Sequence, residues 1–173
     1  MSLREFSEAL PDYAKDIRLN LNSLSGDQIL SDQRKYGLLL STAHGSGYKP
    51  LVDAAEAECA PKLSPEAATA ARSAAAIMAM NNVYYRFVHL ASNKEYGTLP
   101  AKLRMNVIGN PGIDKADFEL FCLAVSAQNG CGMCIDSHEK VLKGHGVPAD
   151  VIQAAARIGS VMTAAATVHA TRV

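Results

Sequence analysis

The sequence contains no tryptophan, few other aromatic residues and no excess of charge of either sign. Aromatic residues make up 6% of the 173 residues, and 17 Lys and Arg balance 17 Asp and Glu. A chain of zero net charge has no broad basic field to attract nucleic acid or an anionic membrane surface. An apolar fraction rich in alanine and poor in aromatics fits closely packed helices better than a β-sandwich. We therefore predict a helical protein without a nucleic-acid or membrane partner.

Long hydrophobic runs are also missing, and cysteine is scarce. The longest apolar run, residues 74–80, is far shorter than the roughly 20 residues that cross a membrane. No secretory signal is visible in the first residues, so we expect a cytoplasmic, reducing location, where the four cysteines are not expected to form structural disulfides. Cys59 and Cys122 stand alone in apolar, helix-like segments, and this pattern is typical of buried thiols.

Helical periodicity and helix start signals divide the chain into helices. Residues 64–66 supply a serine N-cap, a proline and an acid in the first turn, and they predict a long helix that reaches Leu90. Asp114 predicts the start of a helix over 115–128, and Pro148 predicts the start of the last helix. No stretch alternates with the period of a strand. The sequence predicts a single all-α domain over 1–173, with further helices near 12–24, 26–43, 51–60, 100–110 and 131–144.

A weak internal similarity relates two parts of the chain. Shifted by 48 residues, 64–81 lies over 112–129, each with a capped start, an Ala-rich helix and an Asn at the end. The pattern predicts an internal two-fold helical repeat with halves at about 64–93 and 112–144. In such a repeat one half would keep the chemistry and the other would serve as scaffold. Chance similarity between two Ala-rich helices gives the same pattern, so this interpretation has an open alternative.

The other two cysteines, Cys131 and Cys134, are three residues apart and follow the helix-breaking pair at 129–130. On a helix that starts at Cys131, both thiols share one face with His138, and their Cβ atoms are close enough to bridge. The first turn of a helix favours a thiolate, and His138 can exchange a proton near neutral pH. Glu119, across a helical hairpin, can orient His138. The cysteine pair, His138 and Glu119 thus match the nucleophile, the base and the orienting group of a catalytic triad.

Three explanations of this Cys-x-x-Cys pattern stay open on the residues alone. They are two buried thiols, a zinc site, and dithiol redox chemistry on a helical scaffold. Zinc would take Cys131, Cys134, His138 and Glu119 as ligands, but structural zinc sites usually pair two such motifs and this chain has one. Haem attachment needs His where Ile135 stands, and a thioredoxin site needs a βαβ context. The pattern favours dithiol redox chemistry.

The chain resembles the alkylhydroperoxidase D family, part of the carboxymuconolactone decarboxylase-like superfamily, over nearly its whole length. The family's motif is a Glu, eleven residues, Cys-x-x-Cys, three residues and a His. It falls without a gap on four residues: Glu119, Cys131, Cys134 and His138. Further matching stretches are 10–17, 80–86, 103–106 and 110–113.

The resemblance implies a fold, an activity and a role for each site residue. It implies an all-α, AhpD-like helical bundle that assembles as a homotrimer and is a lipoyl-dependent antioxidant peroxidase without a bound cofactor. Cys134 would be oxidised to a sulfenic acid by an organic hydroperoxide. Cys131 would donate a proton and close the redox disulfide, and Glu119 and His138 would form the proton relay. The chain departs from the family at Met133, where a His often precedes the second cysteine, and Met133 is expected to form an apolar wall for the substrate.

The resemblance also implies protein partners. Family members reduce a partner peroxiredoxin, alkyl hydroperoxide reductase C, and they take electrons from lipoyl dithiols on acyltransferase subunits of 2-oxoacid dehydrogenases. One alternative is a protein-disulfide reductase without direct peroxidase activity. Another is a non-catalytic helical oligomer that responds to metal or redox state, which bound zinc and unreactive cysteines would favour.

Overall fold

The chain folds into α-helices in a computed structural model that describes residues 1–172. No strand occurs within this range, which confirms the all-α prediction. Single 3₁₀ turns cover Asp12–Ala14, Ala60–Lys62 and Lys94–Gly97. The helices are α1 (Leu3–Glu8), α2 (Lys15–Leu24), α3 (Asp32–Ser46), α4 (Lys49–Cys59), α5 (Pro65–Leu90), α6 (Asn106–Gly109), α7 (Lys115–Gln128), α8 (Gly132–Gly144) and α9 (Ala149–Thr171).

Capping side chains set the starts of two of the helices that line the site. The Ser64 hydroxyl accepts a hydrogen bond from the Ala67 N–H at 3.1 Å, which fixes the start of α5. The Asp114 carboxylate accepts from the N–H groups of Ala116 and Asp117, which fixes the start of α7. Both predicted starts are confirmed, because each depends on a cap encoded next to the helix.

Three segments differ from the prediction. Helix α3 begins at Asp32 instead of residue 26, because Ser31 supplies its N-cap. The predicted element at 100–110 is helical only in α6, and Lys102 before it has a φ of 54°, which interrupts a right-handed helix. Helix α1 was not predicted, although Ser2 and Glu5 form a capping box at its start.

Helix α7 forms the centre of the bundle. Every residue from Ala116 to Ser126 is buried, and α7 packs against α3, α5, α8 and α9. At its crossing with α3, a Cβ atom on Gly37 would lie 2.1 Å from the Phe121 ring, so only glycine allows this close approach. Because α7 is buried on all sides, its polar side chains lie in the core as well. Glu119 is among them.

Helix α9 is long and apolar enough to cross a membrane by length and composition, with a mean hydropathy of 1.3 over 18 residues. Half of that window is buried within the structure, where α9 packs against α2, α3 and α7. Its apolar residues therefore form part of the protein core.

One hydrophobic cluster takes residues from the first helix to the last. The two segments of the predicted repeat, 64–81 and 112–129, both begin as capped helices. Beyond them, α5 continues unbroken to Leu90, whereas α7 ends at Gln128 and the chain turns back into α8. The internal repeat stays a prediction.

Candidate functional site

A tight turn between α7 and α8 places the two paired cysteines at the start of α8. The turn is a Schellman motif, in which the Cys131 N–H donates to the Ser126 carbonyl at 3.1 Å and the Gly130 N–H donates to the Ala127 carbonyl at 3.2 Å. Gly130 has a φ of 64°, a left-handed conformation that glycine adopts without steric cost. The predicted break before Cys131 is confirmed.

Cys131 and Cys134 form a disulfide, with their Cα atoms 5.3 Å apart. Cys131 is the N-cap of α8, and its Sγ accepts a hydrogen bond from the Cys134 N–H at 3.3 Å. Cys131 is completely buried, whereas Cys134 is 6% exposed and lines a cavity. Cys134 is therefore the sulfur that a molecule entering this cavity meets.

Glu119 on α7 and His138 on α8 form a hydrogen-bonded pair in the core. Oε2 of Glu119 lies 2.6 Å from Nδ1 of His138, and Oε1 lies 2.8 Å from Nζ of Lys115. Because a carboxylate only accepts hydrogen bonds, Nδ1 of His138 carries a proton and Nε2 is the nitrogen free to exchange one. Nε2 lies 3.2 Å from the thioether sulfur of Met78 on α5. The α7–α8 hairpin thus brings the predicted pair together.

Two opposing effects set the charge of Glu119. Burial raises the pKa of its carboxyl group, but hydrogen bonds from His138 and Lys115, together with their charges, hold that pKa below its ordinary value. Glu119 is therefore ionised at neutral pH. An ionised carboxylate can fix the tautomer of His138 and stabilise its protonated form.

A cavity of about 430 Å³ lies beside the disulfide. Cys134, His138 and Glu119 all line it, so the candidate nucleophile and the candidate relay face the same space. Met133 lines it too and is 37% exposed, so the residue that departs from the family pattern forms an apolar part of the wall. A mainly apolar cavity with a few polar groups suits a small organic ligand. Its other lining residues are Met78, Asn81, Tyr85, Met105, Ile108, Lys115, Ser137 and Val141.

Helix α5 also lines the site, through residues outside the Glu-Cys-Cys-His motif. The backbone carbonyl oxygen of Asn81 lies 3.9 Å from Sγ of Cys134. The Asn82 amide donates to the Ser126 hydroxyl at 2.9 Å and accepts from the Asn129 amide at 2.9 Å, which ties α5 to the end of α7. Asn81 and Asn82 are remote in sequence from the cysteine pair, so no local spacing could have found their place in the site.

Lys115 was also missed, but a local signal for it exists. It stands four residues before Glu119, and residues at this spacing are neighbours on a helix surface. The helix start at Asp114 and the buried acid one turn later together predict a Lys115–Glu119 contact.

Cys59 and Cys122 lie outside the cavity wall and are buried, free thiols, as predicted. Burial raises the pKa of Cys59 to about 12 and that of Cys122 well above its ordinary value, so both stay protonated at neutral pH. The four residues weighed as zinc ligands are joined instead as a disulfide and a Glu–His pair. Across residues 1–172, no group of three or more His, Cys, Asp or Glu is arranged to hold a metal ion.

Comparison with known proteins agrees with the resemblance carried by the motif. The model of the carboxymuconolactone decarboxylase family matches residues 94–173. A protein named alkyl hydroperoxide reductase AhpD, from Rhizorhabdus wittichii, is 79% identical over 173 residues and covers both chains completely. Proteins of the same name from Rhodopseudomonas palustris and Hyphomonas neptunium are 62% and 60% identical. These alignments cover 96% and 98% of this chain and 92% and 94% of the relatives. The chain therefore belongs to the alkyl hydroperoxide reductase AhpD family.

Proposed function

We propose that this protein is an antioxidant thiol peroxidase that reduces alkyl hydroperoxides through a Cys131–Cys134 dithiol/disulfide cycle. The observation that carries the proposal is the shared cavity, in which Cys134 and the His138–Glu119 pair face one apolar space while Cys131 is bonded behind it. The name of the relatives, alkyl hydroperoxide reductase, supports this choice of substrate. We place the activity in the cytoplasm, where a reductant for the disulfide is available.

The oxidative half of the cycle begins with the reduced pair. The Cys134 thiolate attacks the terminal oxygen of the hydroperoxide, the O–O bond breaks, and Cys134 becomes a sulfenic acid. The departing alkoxide takes a proton from His138 or Cys131 and leaves as the alcohol. The start of α8 stabilises the attacking thiolate, because unpaired N–H groups and the positive end of the helix dipole meet there.

Cys131 then resolves the sulfenic acid. Its thiolate attacks Sγ of Cys134, the S–S bond forms, the S–O bond breaks, and hydroxide leaves with a proton as water. The sum converts one hydroperoxide and two thiols into an alcohol, one water and one disulfide. The Cα separation of 5.3 Å in the disulfide form and the one-turn spacing on α8 allow this step without rearrangement of the fold.

A lipoyl dithiol is the proposed external electron donor, and no bound cofactor takes part. A lipoyl thiolate attacks Sγ of Cys134, the sulfur on the cavity side, and Cys131 leaves as a thiolate at the N-cap of α8. The second lipoyl thiol then attacks the mixed disulfide, which yields the reduced pair and a cyclic lipoyl disulfide. Lipoylated acyltransferase subunits of 2-oxoacid dehydrogenases carry such dithiols, and we propose them as partners.

We further propose that the reduced pair passes electrons to a partner peroxiredoxin of the alkyl hydroperoxide reductase C type. The same Cys134 sulfur would attack the disulfide of that protein, because it is the more exposed of the two. A homotrimeric assembly is proposed on the family resemblance alone.

The test begins with metal-free, fully reduced protein and one equivalent of an organic hydroperoxide. Free thiols are counted, and any bridge is mapped by mass spectrometry. Loss of two of the four thiols, mapped to Cys131 and Cys134, is the expected result, with Cys59 and Cys122 as internal controls that stay reduced. Four unchanged thiols would overturn direct peroxidase activity and favour a protein-disulfide reductase. Zinc measured in the purified protein tests the metal-responsive alternative.

A further inference from the structure

Lys115 is a charged residue in the cavity wall that the proposed cycle does not use. Its Nζ lies 2.8 Å from Oε1 of Glu119 and also donates to the backbone carbonyl of Ile108 in α6. Ile108 itself lines the cavity. Lys115 therefore connects the Glu119 carboxylate with α6, whose residue Ile108 lines the same cavity.

The position of Lys115 runs against the local preferences of a helix. Lys115 is the first residue of α7, where the positive end of the helix dipole disfavours a cation. In addition, a Lys that precedes a Glu by four residues is the less favourable order of such a pair. Lys143 and Glu139 on α8 form a pair of the same length, 2.8 Å, in the favourable order and near the helix C-terminus. Local stabilisation of α7 therefore does not explain why a lysine stands at position 115. The contact of Lys115 with Glu119 does.

Few other titratable groups surround Glu119. Helix α3 directs Arg34 to Asp117 at 2.6 Å, and the His169 ring on α9 bonds to Tyr48 at 2.9 Å, so neither side chain is engaged with Glu119. Within residues 1–172, Lys115 is the permanent cation that contacts the Glu119 carboxylate. The remaining titratable groups that share its surroundings are His138 on α8, Tyr85 on α5 and Cys122 on α7, joined by Cys134 when the disulfide is reduced.

We propose that Lys115 is a positioning residue of the relay, which keeps Glu119 ionised and directed at Nδ1 of His138. An ionised Glu119 holds the proton on Nδ1 and leaves Nε2 to exchange protons in the cavity. Without the cation, a buried Glu119 retains one hydrogen bond and takes up a proton at a higher pH. Once protonated, it can donate to Nδ1 as well as accept from it, so it no longer fixes one tautomer of His138. The kinetic consequence rests on the proposed peroxidase function, but the effect on Glu119 does not.

The direct test follows the side-chain carboxyl carbon of Glu119 by NMR titration in the oxidised protein. Lys115→Met is expected to move the midpoint upward by about one pH unit or more, since an adjacent opposite charge lowers a carboxyl pKa by about 1–3 units. Lys115→Arg keeps the cation and should titrate like the wild type. Lys143→Met removes the matched surface pair and should leave the midpoint unchanged. A Lys115→Met midpoint that coincides with that of the wild type would overturn the proposal.

The kinetic test measures hydroperoxide reduction against pH. In Lys115→Met the acid limb of the rate profile should move upward with the Glu119 midpoint, and in a Glu119→Gln background the same substitution should add no further loss. A merely structural Lys115 would instead lower the rate equally at every pH and add its loss to that of Glu119→Gln. If the wild type turns over no hydroperoxide, the proposed function fails, while the NMR titration still decides the role of Lys115.

Discussion

Replacement of Glu119 by Gln tests how much the Glu119–His138 pair contributes to the stability and to the activity of the protein. The Glu119 side chain is 3% exposed and accepts charged hydrogen bonds from Lys115 and His138. Glutamine has nearly the same shape and keeps one carbonyl oxygen for Nδ1 of His138, but it removes the charge and replaces the oxygen that accepts from Lys115 by an NH2 donor. The substitution therefore separates the charge of Glu119 from its packing.

The expected loss of stability follows from the burial of the pair. Removal of one partner from a buried ion pair costs about 3–5 kcal/mol. Lys115 is one-third exposed and can turn to water, and the introduced amide would still accept a hydrogen bond from His138, so the lower end, about 3 kcal/mol, applies. For a chain of this length, that corresponds to a fall in melting temperature of about 6–12 °C at pH 7.

The pH dependence of this loss has a defined sign. The pKa of Glu119 is lower in the folded protein than its ordinary value of 4.5, so the carboxylate contributes stability above that value. The contribution disappears as the pH falls through the folded-state pKa, because the protonated acid then resembles the amide. The difference in melting temperature between the wild type and Glu119→Gln should thus be largest near pH 7 and shrink below pH 4.5.

The same substitution should slow hydroperoxide reduction by about 10²-fold or more, the range of general acid–base catalysis. The assay combines thermal melts at several pH values with the single-turnover oxidation rate of the reduced pair. Glu139→Gln is the matched control, because it removes an exposed acid of the Lys143 pair and should change neither quantity appreciably. A melting difference that does not vary with pH, or an oxidation rate equal to that of the wild type, would refute the reasoning.

Three further predictions concern the cysteines, the neighbouring asparagines and the cavity wall. Cys134→Ser should abolish hydroperoxide reduction, whereas Cys131→Ser should still form a sulfenic acid, which a dimedone adduct detects; turnover in Cys134→Ser contradicts the assignment. Asn81→Leu should keep or raise thermal stability, because its buried Oδ1 has no partner within residues 1–172, while Asn82→Leu should cost about 1–3 kcal/mol. Met133→Gln should raise the KM for bulky apolar hydroperoxides more than for small ones, and equal effects on both would exclude Met133 as an apolar wall.

Much of the site could be predicted because its signals are local. The caps at Ser64 and Asp114 fixed two helix starts, and the break at 129–130 put Cys131 at the start of α8. A cysteine three residues along the same helix is one turn away, so its nearness to Cys131 follows from helix geometry alone. The contact of Glu119 with His138 required only that α7 and α8 form a hairpin.

The misplaced elements were those without a decisive local signal or with one that was overlooked. The start of α3 moved to Asp32 because the cap at Ser31, not the glycine at 26, begins the helix. Before α6 the residue with the positive φ is Lys102, and a lysine gives no sequence signal for that conformation. At Lys102 neighbouring structure, not intrinsic propensity, selects the backbone conformation.

The sequence by itself determined the helical class, the family and the face that Cys131, Cys134 and His138 share, because each depends on spacing along one helix or hairpin. Only the tertiary structure decided which sulfur faces the cavity, since Cys134 is set apart from Cys131 by the packing around them. It also decided that Met78 and the Asn81 carbonyl, carried by α5, complete the site. Contacts between residues so far apart in sequence arise from helix packing, which no local pattern encodes.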